Sequence, residues 1–361
     1  MNVRHLARIA MTLICVLIIS EDLVADHPTL SLGEGNASPL TTISAVPLDA
    51  GQSVFGFQQQ MIFNDELTDA ELESSSDLGE DVHSVESVYS TSFGGAFGIT
   101  DNLTFGFQLP YVSRQNIREA HHEDEGLDEG HDDPVEEHHD DVPGHEELVE
   151  QLGDSSGIGD TTFYGQYRFW NNANEDVNAA LLFGIKTPTG RTDAKSVEGE
   201  RFETELQPGS GSWDLFTGLA ASRSAGRVGF DTNILYTFAN EGSQNTTLGD
   251  VFNYNVALSV HVRGNETDQH AHLDEKAHEH SDTVWDFIFE LNGDWREKVE
   301  KPGGTDNNTG GNIIYLSAAT RASWGRGWSA YFSAGVPVLK DLNGIQSEPK
   351  ARVLFGISKG F

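Results

Sequence analysis

Apolar and polar residues alternate with a period of two along one segment of this chain after another. In residues 252–262 every even position is apolar, and the odd positions are polar or small. Segments 177–185, 228–238 and 285–291 follow the same alternation. Successive side chains of a β-strand point to opposite faces, so the pattern predicts strands with one apolar and one polar face.

The length of these segments favours a membrane barrel over a soluble β-sandwich. About twelve can be counted, most of them 9–12 residues long, whereas strands of soluble proteins are mostly about five or six residues long. They begin near Ser53, Val82, Asn102, Asp160, Val177, Trp213, Val228, Val251, Thr283, Asn312, Gly327 and Lys350. The predicted fold is therefore all-β: a transmembrane antiparallel β-barrel of about 12 strands with long polar extracellular loops.

The connections between segments alternate in length. Short ones lie at 100–102, 171–176, 224–227 and 325–327, and long polar ones at 64–81, 113–158, 188–212 and 294–311. Aromatic residues collect near strand ends, at Tyr111, Trp170, Trp213, Trp285 and Trp328. Short periplasmic turns, long outer loops and aromatic girdles are typical of barrels surrounded by outer-membrane lipids.

Both ends of the chain indicate export. Residues 1–25 combine a basic start, a short apolar run and small residues before Asp26, which predicts a signal peptide, with a membrane anchor as the alternative. Residues 26–52 are then a periplasmic N-terminal segment, and 53–361 are the barrel in the outer membrane of a Gram-negative bacterium. At the other end, Val353, Phe355, Ile357 and Phe361 share one face. That pattern resembles the signal read by the barrel assembly machinery, although Lys359 departs from it.

Composition excludes two classes of function. The net charge is −35, with 57 acidic against 22 basic residues, so nucleic acid is not expected as a partner. The single cysteine, Cys15, lies in the predicted signal peptide, which leaves no disulfide or thiolate chemistry for the mature chain.

Three stretches carry a family resemblance: residues 98–112, 156–170 and 181–191, with the sequences GITDNLTFGFQLPYV, SGIGDTTFYGQYRFW and LLFGIKTPTGR. The chain resembles the outer-membrane transporter-like proteins named for the meta-cleavage pathway of phenol degradation. The resemblance implies a twelve-stranded barrel and passage of small molecules, and it brings no catalytic residue.

Two segments concentrate histidine among acidic residues. Residues 119–150 contain 15 Asp or Glu, 6 His and no Lys or Arg, and a second cluster lies within 264–282. The candidate metal ligands are His121, His122, His131, His138, His139, His145, His270, His272, His278 and His280. Imidazole with carboxylate suits zinc, nickel, copper or cobalt, bound as a ligand or carried as cargo, and no cofactor is required. The alternative is a solvated acidic loop. By strand parity the first segment is extracellular, within loop 113–158, and the connection 264–282 is periplasmic.

If the apolar faces meet lipid, eight ionisable residues point into the lumen: Arg168, Lys186, Asp231, His261, Asp286, Glu290, Arg321 and Arg352. Such charges have to be hydrated or paired. The sequence thus predicts an outer-membrane channel for small solutes or metal ions, with metal-binding segments. The alternatives are uptake of small aromatic or hydrophobic compounds and a purely structural barrel. A G-x-S-x-G motif is absent, and no enzyme is expected.

Overall fold

The computed structural model describes residues 39–80, 82–120, 149–263 and 283–361. The strands are β1 (Ser53–Asp65), β2 (His83–Thr100), β3 (Leu103–Ala120), β4 (Val149–Ile158), β5 (Thr162–Asn172), β6 (Val177–Lys186), β7 (Asp214–Ala225), β8 (Val228–Phe238), β9 (Val251–Arg263), β10 (Val284–Arg296), β11 (Glu300–Lys301), β12 (Gly304–Thr305), β13 (Gly311–Trp324), β14 (Trp328–Leu342) and β15 (Glu348–Gly360). The helix α1 spans Asp69–Ser76, and two 3₁₀ turns span Thr204–Leu206 and Ser243–Asn245. Within these residues, no helix is both long and apolar enough to cross a membrane.

The sheet closes into a barrel because β15 pairs antiparallel with β1. Neighbours along the chain pair in turn, except that β4 and β5 share one neighbour: β3 pairs with β4 along its second half and with β5 along its first half. Counting β4 and β5 as one position, and leaving out the small β11–β12 ribbon, the wall has twelve positions. The predicted twelve-stranded antiparallel barrel is confirmed.

The alternation along β10 shows which face meets lipid. Phe287, Phe289 and Leu291 are 47%, 52% and 45% exposed on the outside, whereas Ile288 and Glu290 are at most 1% exposed on the inside. Exposed apolar side chains in such a continuous band are stable in hydrocarbon and not in water. The chain is therefore an outer-membrane β-barrel.

The two rims differ as the connection lengths predict. Tight turns join strands at 101–102, 226–227 and 325–327 on one rim, where both barrel termini also lie. The long connections 66–82, 121–148, 187–213 and 297–310 leave the other rim, whereas the long connection 264–283 leaves the rim of the tight turns. In outer-membrane barrels the tight turns are periplasmic, so β3 and β4 lead to the extracellular side, and the facing ends of β9 and β10 lie at the periplasmic rim.

One predicted boundary is wrong. Of the expected loop 113–158, residues up to Ala120 continue β3, and β4 begins at Val149. The hairpin they form extends the wall on the extracellular side, with Glu119 opposite Glu150. A strand outside the hydrocarbon layer needs no apolar face, so the period of two that identifies membrane strands is missing there.

Loop 187–213, between β6 and β7, packs against this extension. Its Ala194, Phe202 and Leu206 form a buried cluster with Ile117 of β3 and Leu152 of β4. The loop is thereby held at the extracellular mouth of the barrel.

Placing a charge on the lipid-facing side should destabilise the folded barrel. Phe289→Arg, near the middle of β10, should lower the free energy of unfolding from lipid vesicles by at least about 2–4 kcal/mol, because the guanidinium would lie in hydrocarbon. The control is Val197→Arg in loop 187–213, where the native side chain is 74% exposed and little change is expected. Equal stability of the two variants in urea titrations would contradict the assigned lipid face.

Candidate conduit through the barrel

Residues 39–50, here called the lumen segment, cross the inside of the barrel before β1 begins. The Leu48 amide donates to Thr104 Oγ1 of β3 at 2.8 Å, and the Ala45 amide donates to Ser222 Oγ of β7 at 2.7 Å. Ser222 in turn donates to Asp231 of β8 at 2.5 Å. Inward side chains of β3 and β7 thus accept hydrogen bonds from the amides of one extended segment, and a side chain of β8 supports one of these acceptors.

This placement corrects the sequence interpretation of 26–52 as a periplasmic segment, as far as residues 39–50 are concerned. Residues 39–48 carry no charged side chain, in contrast to the acidic chain around them. A neutral segment can enter a lumen if its backbone groups find partners there. Residues 26–38 lie outside the described part of the chain.

Glu290 holds the innermost part of the lumen segment. Its Oε1 accepts hydrogen bonds from the amides of Leu40, Thr41 and Thr42 at 3.1, 3.0 and 2.9 Å, and Oε2 accepts a further one from Thr41 at 3.2 Å. Hydrogen bonds from backbone amides to a carboxylate are charge-assisted and contribute about 1.5–3 kcal/mol each. Glu290 is therefore the strongest single anchor of the segment.

The inner wall is not uniformly polar. Leu40 packs against Ile288, Ala319, Tyr331 and Leu354, which come from four neighbouring strands, β10, β13, β14 and β15. The lumen segment covers this apolar patch. If the segment left, an apolar surface would be open to the passage.

A charged cluster fixes loop 187–213 at the extracellular rim. Lys186 Nζ lies 2.6 Å from Asp214 and 3.7 Å from Asp160. Asp160 also accepts hydrogen bonds from the amides of Gly190 and Ser210, both at 2.8 Å. One buried carboxylate thus binds both ends of the loop.

Three further predicted lumen residues have partners near the periplasmic rim. His261 Nδ1 lies 2.7 Å from Asp286 Oδ1. Arg168 donates to the carbonyl of Asp101, in the tight turn after β2, at 2.7 Å.

Arg352 and Arg321 lie on the inner wall between these clusters. Arg352 donates to Asn292 Oδ1 at 2.6 Å, and its guanidinium lies 4.3 Å from the ring centroid of Tyr315. Arg321 donates to the carbonyl of Pro39 at 3.4 Å. All eight predicted lumen residues therefore lie on the inner wall, and each has a polar partner on that wall, in a tight turn or in the lumen segment.

A cavity of about 1900 Å³ remains beside the lumen segment. Its lining includes Arg114 and Gln207 at the extracellular end and Arg227 and Trp328 at the periplasmic end. The space therefore reaches from one rim towards the other.

The sequence interpretation missed a group of charged residues at the extracellular mouth, here called the mouth cluster: His83, Glu203, Glu205, Lys301 and Asp306. Lys301 Nζ lies 2.6 Å from Glu203, 3.3 Å from Glu205 and 2.9 Å from Asp306. Burial raises the pKa of Glu205 to about 7, with Lys301 opposing the rise and Glu203 adding to it. Burial acts to raise the pKa of Glu203, but the charges of His83 and Lys301 together outweigh it and hold that pKa below the usual value. No spacing in the sequence predicts these contacts, because the residues come from the start of β2 and from two separate loops.

The ten histidines predicted as metal ligands lie outside the described residues. Among the described residues, one group suits a metal ion by composition and distance, and it consists of His83, Glu203 and Glu205.

Known proteins resemble this chain both in sequence and in fold. The sequence profile of a family described as "Putative MetA-pathway of phenol degradation" matches residues 69–282. The outer membrane channel from Pseudomonas putida F1 is 14% identical, with a TM-score of 0.52 over 88% of this chain and 98% of that one. That likeness shows a shared fold.

Two further barrels superpose less well. The CymD monoaromatic hydrocarbon channel is 9% identical, with a TM-score of 0.41 over 87% of this chain and 89% of that one. A mutant of the TodX monoaromatic hydrocarbon channel is 10% identical, with a TM-score of 0.43 over 92% and 98% of the two chains. No curated protein matches the sequence significantly.

Proposed function

We propose that this chain, which belongs to the family described as the putative MetA-pathway of phenol degradation, is a channel for small solutes across the outer membrane. The observation that carries the proposal is the cavity of about 1900 Å³ with lining residues at both rims. A barrel of about twelve strands lies between the side-chain-filled eight-stranded barrels and the wide porins of about sixteen strands. No catalytic step is part of the proposal.

The lumen segment acts as the gate of this channel. It occupies part of the bore, and side chains rather than strand pairing hold it there. A segment held in this way can leave without breaking the barrel wall, since the wall hydrogen bonds lie between strands. The conducting state is the one in which residues 39–42 release Glu290.

Small hydrophilic or charged solutes fit the passage best. The paired charges of Lys186 with Asp214 and of His261 with Asp286 line it, with the two basic side chains partly exposed and the two carboxylates buried. Polar groups in such a wall can replace part of the hydration of a passing solute.

Small aromatic compounds are the second candidate. The apolar patch of Ile288, Tyr331 and Leu354 beneath Leu40 would offer them a surface once the lumen segment moves. The description of the family points in the same direction. A purely structural barrel, the third possibility, would require the cavity to stay closed to solutes.

The histidine-rich segments add a finer proposal, which rests on the sequence alone. They capture divalent transition metal ions at the mouths of the barrel, through neutral imidazoles surrounded by carboxylates that concentrate cations. The ions are bound weakly at several sites, as suits capture or cargo.

Planar-bilayer recording tests the channel. The intact protein should give small, discrete conductance steps. Glu290→Ala should raise the open population at least about tenfold, because losing even one charge-assisted hydrogen bond exceeds about 1.4 kcal/mol. Asp286→Asn, a change on the same strand face whose side chain bonds His261, is the control and should leave gating largely unchanged.

One outcome of the recording and one of a vesicle-uptake assay would favour the alternatives. A silent bilayer with both the parent and Glu290→Ala would indicate a structural barrel. Uptake of toluene-like solutes by vesicles, without uptake of sugars or ions, would favour the aromatic candidate.

Zinc titration calorimetry tests metal capture. Replacing all ten segment histidines with asparagine should remove most bound zinc, and binding to the parent should weaken between about pH 7 and pH 5 as imidazoles of ordinary pKa near 6.5 become protonated. Calcium serves as the control ion. Equal binding of calcium and zinc, or full zinc binding after the ten replacements, would contradict metal capture by the histidines. The two segments would then be solvated acidic loops.

A further inference from the structure

We infer that the mouth cluster contains a separate binding site for a divalent transition metal ion, formed by His83, Glu203 and Glu205. One ligand atom of each residue lies within 4.8 Å of the other two. The site contains none of the ten segment histidines and does not depend on conduction through the lumen, so it goes beyond the proposed function.

The three ligand atoms are within reach of one ion by side-chain rotation. Two atoms that ligate one tetrahedral zinc ion at about 2.1 Å are about 3.4 Å apart. Atoms at the observed limit of 4.8 Å would therefore approach each other by roughly 1.4 Å when the ion binds. His83 is fixed at the start of β2, whereas Glu203 and Glu205 flank and enter the 3₁₀ turn Thr204–Leu206 of a loop.

An unpartnered oxygen points to a missing cation. Glu205 Oε2 is buried and has no hydrogen-bond partner, and Glu205 lines the cavity. A buried acceptor without a partner is costly, the more so when it is charged. A metal ion bound at this oxygen would remove that cost.

The balance of charge at the mouth also favours a cation. Lys301 alone contacts Glu203, Glu205 and Asp306. The carboxylate of Glu119 lies 3.3 Å from His83 Nε2, beside the same group. Four carboxylates thus surround one ammonium group and one imidazole.

Lys301 is the competitor of the metal ion. Its ammonium is 2.6 Å from Glu203 and 3.3 Å from Glu205, the two carboxylate ligands. Asp306, 2.9 Å from the same nitrogen, can retain the ammonium when the ion binds. Removing the charge of Lys301 should therefore strengthen metal binding. If the mouth cluster were only a network of ion pairs, the same change would weaken that network and would not improve binding of any metal ion.

The bound ion would connect the barrel wall to loop 187–213. His83 begins β2, opposite Glu119 of β3, and both glutamates belong to the loop. Imidazole with two carboxylates selects zinc, cobalt or nickel over calcium and magnesium, which prefer oxygen ligands alone. The site is thus a transition-metal staple that holds the loop across the extracellular mouth.

Zinc titration calorimetry of the full-length chain in detergent tests the site, with the ten segment histidines replaced by asparagine to remove the imidazoles of the two histidine-rich segments. We expect one zinc per chain. His83→Asn and Glu205→Gln should each lower the affinity at least about tenfold, and Lys301→Met should raise it. Heat-modifiable gel mobility confirms that each variant is folded.

The site is wrong if this background binds no zinc, or if His83→Asn and Glu205→Gln leave its affinity unchanged. Weaker binding in Lys301→Met would also contradict it. Because none of these readouts involves conductance or the segment histidines, failure here is distinct from failure of the proposed channel.

Trypsin tests the staple. Loop 187–213 contains Arg191, Lys195 and Arg201, and zinc should slow cleavage there several-fold in the ten-asparagine chain. Zinc should not protect His83→Asn, and calcium should protect neither. Cleavage that zinc leaves unchanged in the ten-asparagine chain would show that the ion does not hold the loop.

Discussion

Inside a bilayer every backbone amide and carbonyl must find its partner within the protein, and here the pairing of β15 with β1 completes that requirement. Closure fixes the direction of every side chain, because strict alternation sends one face to lipid and the other to the lumen. The band of exposed Phe287, Phe289 and Leu291 and the enclosed Glu290 are two results of this one constraint.

The same requirement explains how a chain segment can occupy the lumen. Residues 39–50 form no strand pairs, so their amides depend on side chains that alternation has turned inward. Glu290 has the largest share in this, since it accepts from three consecutive residues. A lumen charge that would be unstable by itself is thereby stabilised, and the segment it holds determines how much of the bore is free.

Much of the fold could be predicted from the sequence, because membrane strands must keep an apolar face over about ten residues. β4 lacks that face, and it could not be recognised. The lumen residues could be predicted from the alternation of side chains along each strand, but their partners could not. Glu290 accepts from the amides of residues 40–42, and every residue except proline has such an amide, so the sequence does not indicate which of them it binds. His83 and Glu203 meet only through the folding of a loop, so the mouth cluster needed the structure.

A reversible cross-link tests the central claim that the lumen segment gates the passage. Leu40 and Ile288 pack in one cluster, and cysteines at both positions, once oxidised to a disulfide, would hold the segment in the lumen. Single-channel recording of the oxidised double variant should show long closures, and a reductant should restore the openings of the parent. Equal conductance of the oxidised and reduced forms, with the disulfide verified by mass spectrometry, would contradict the account.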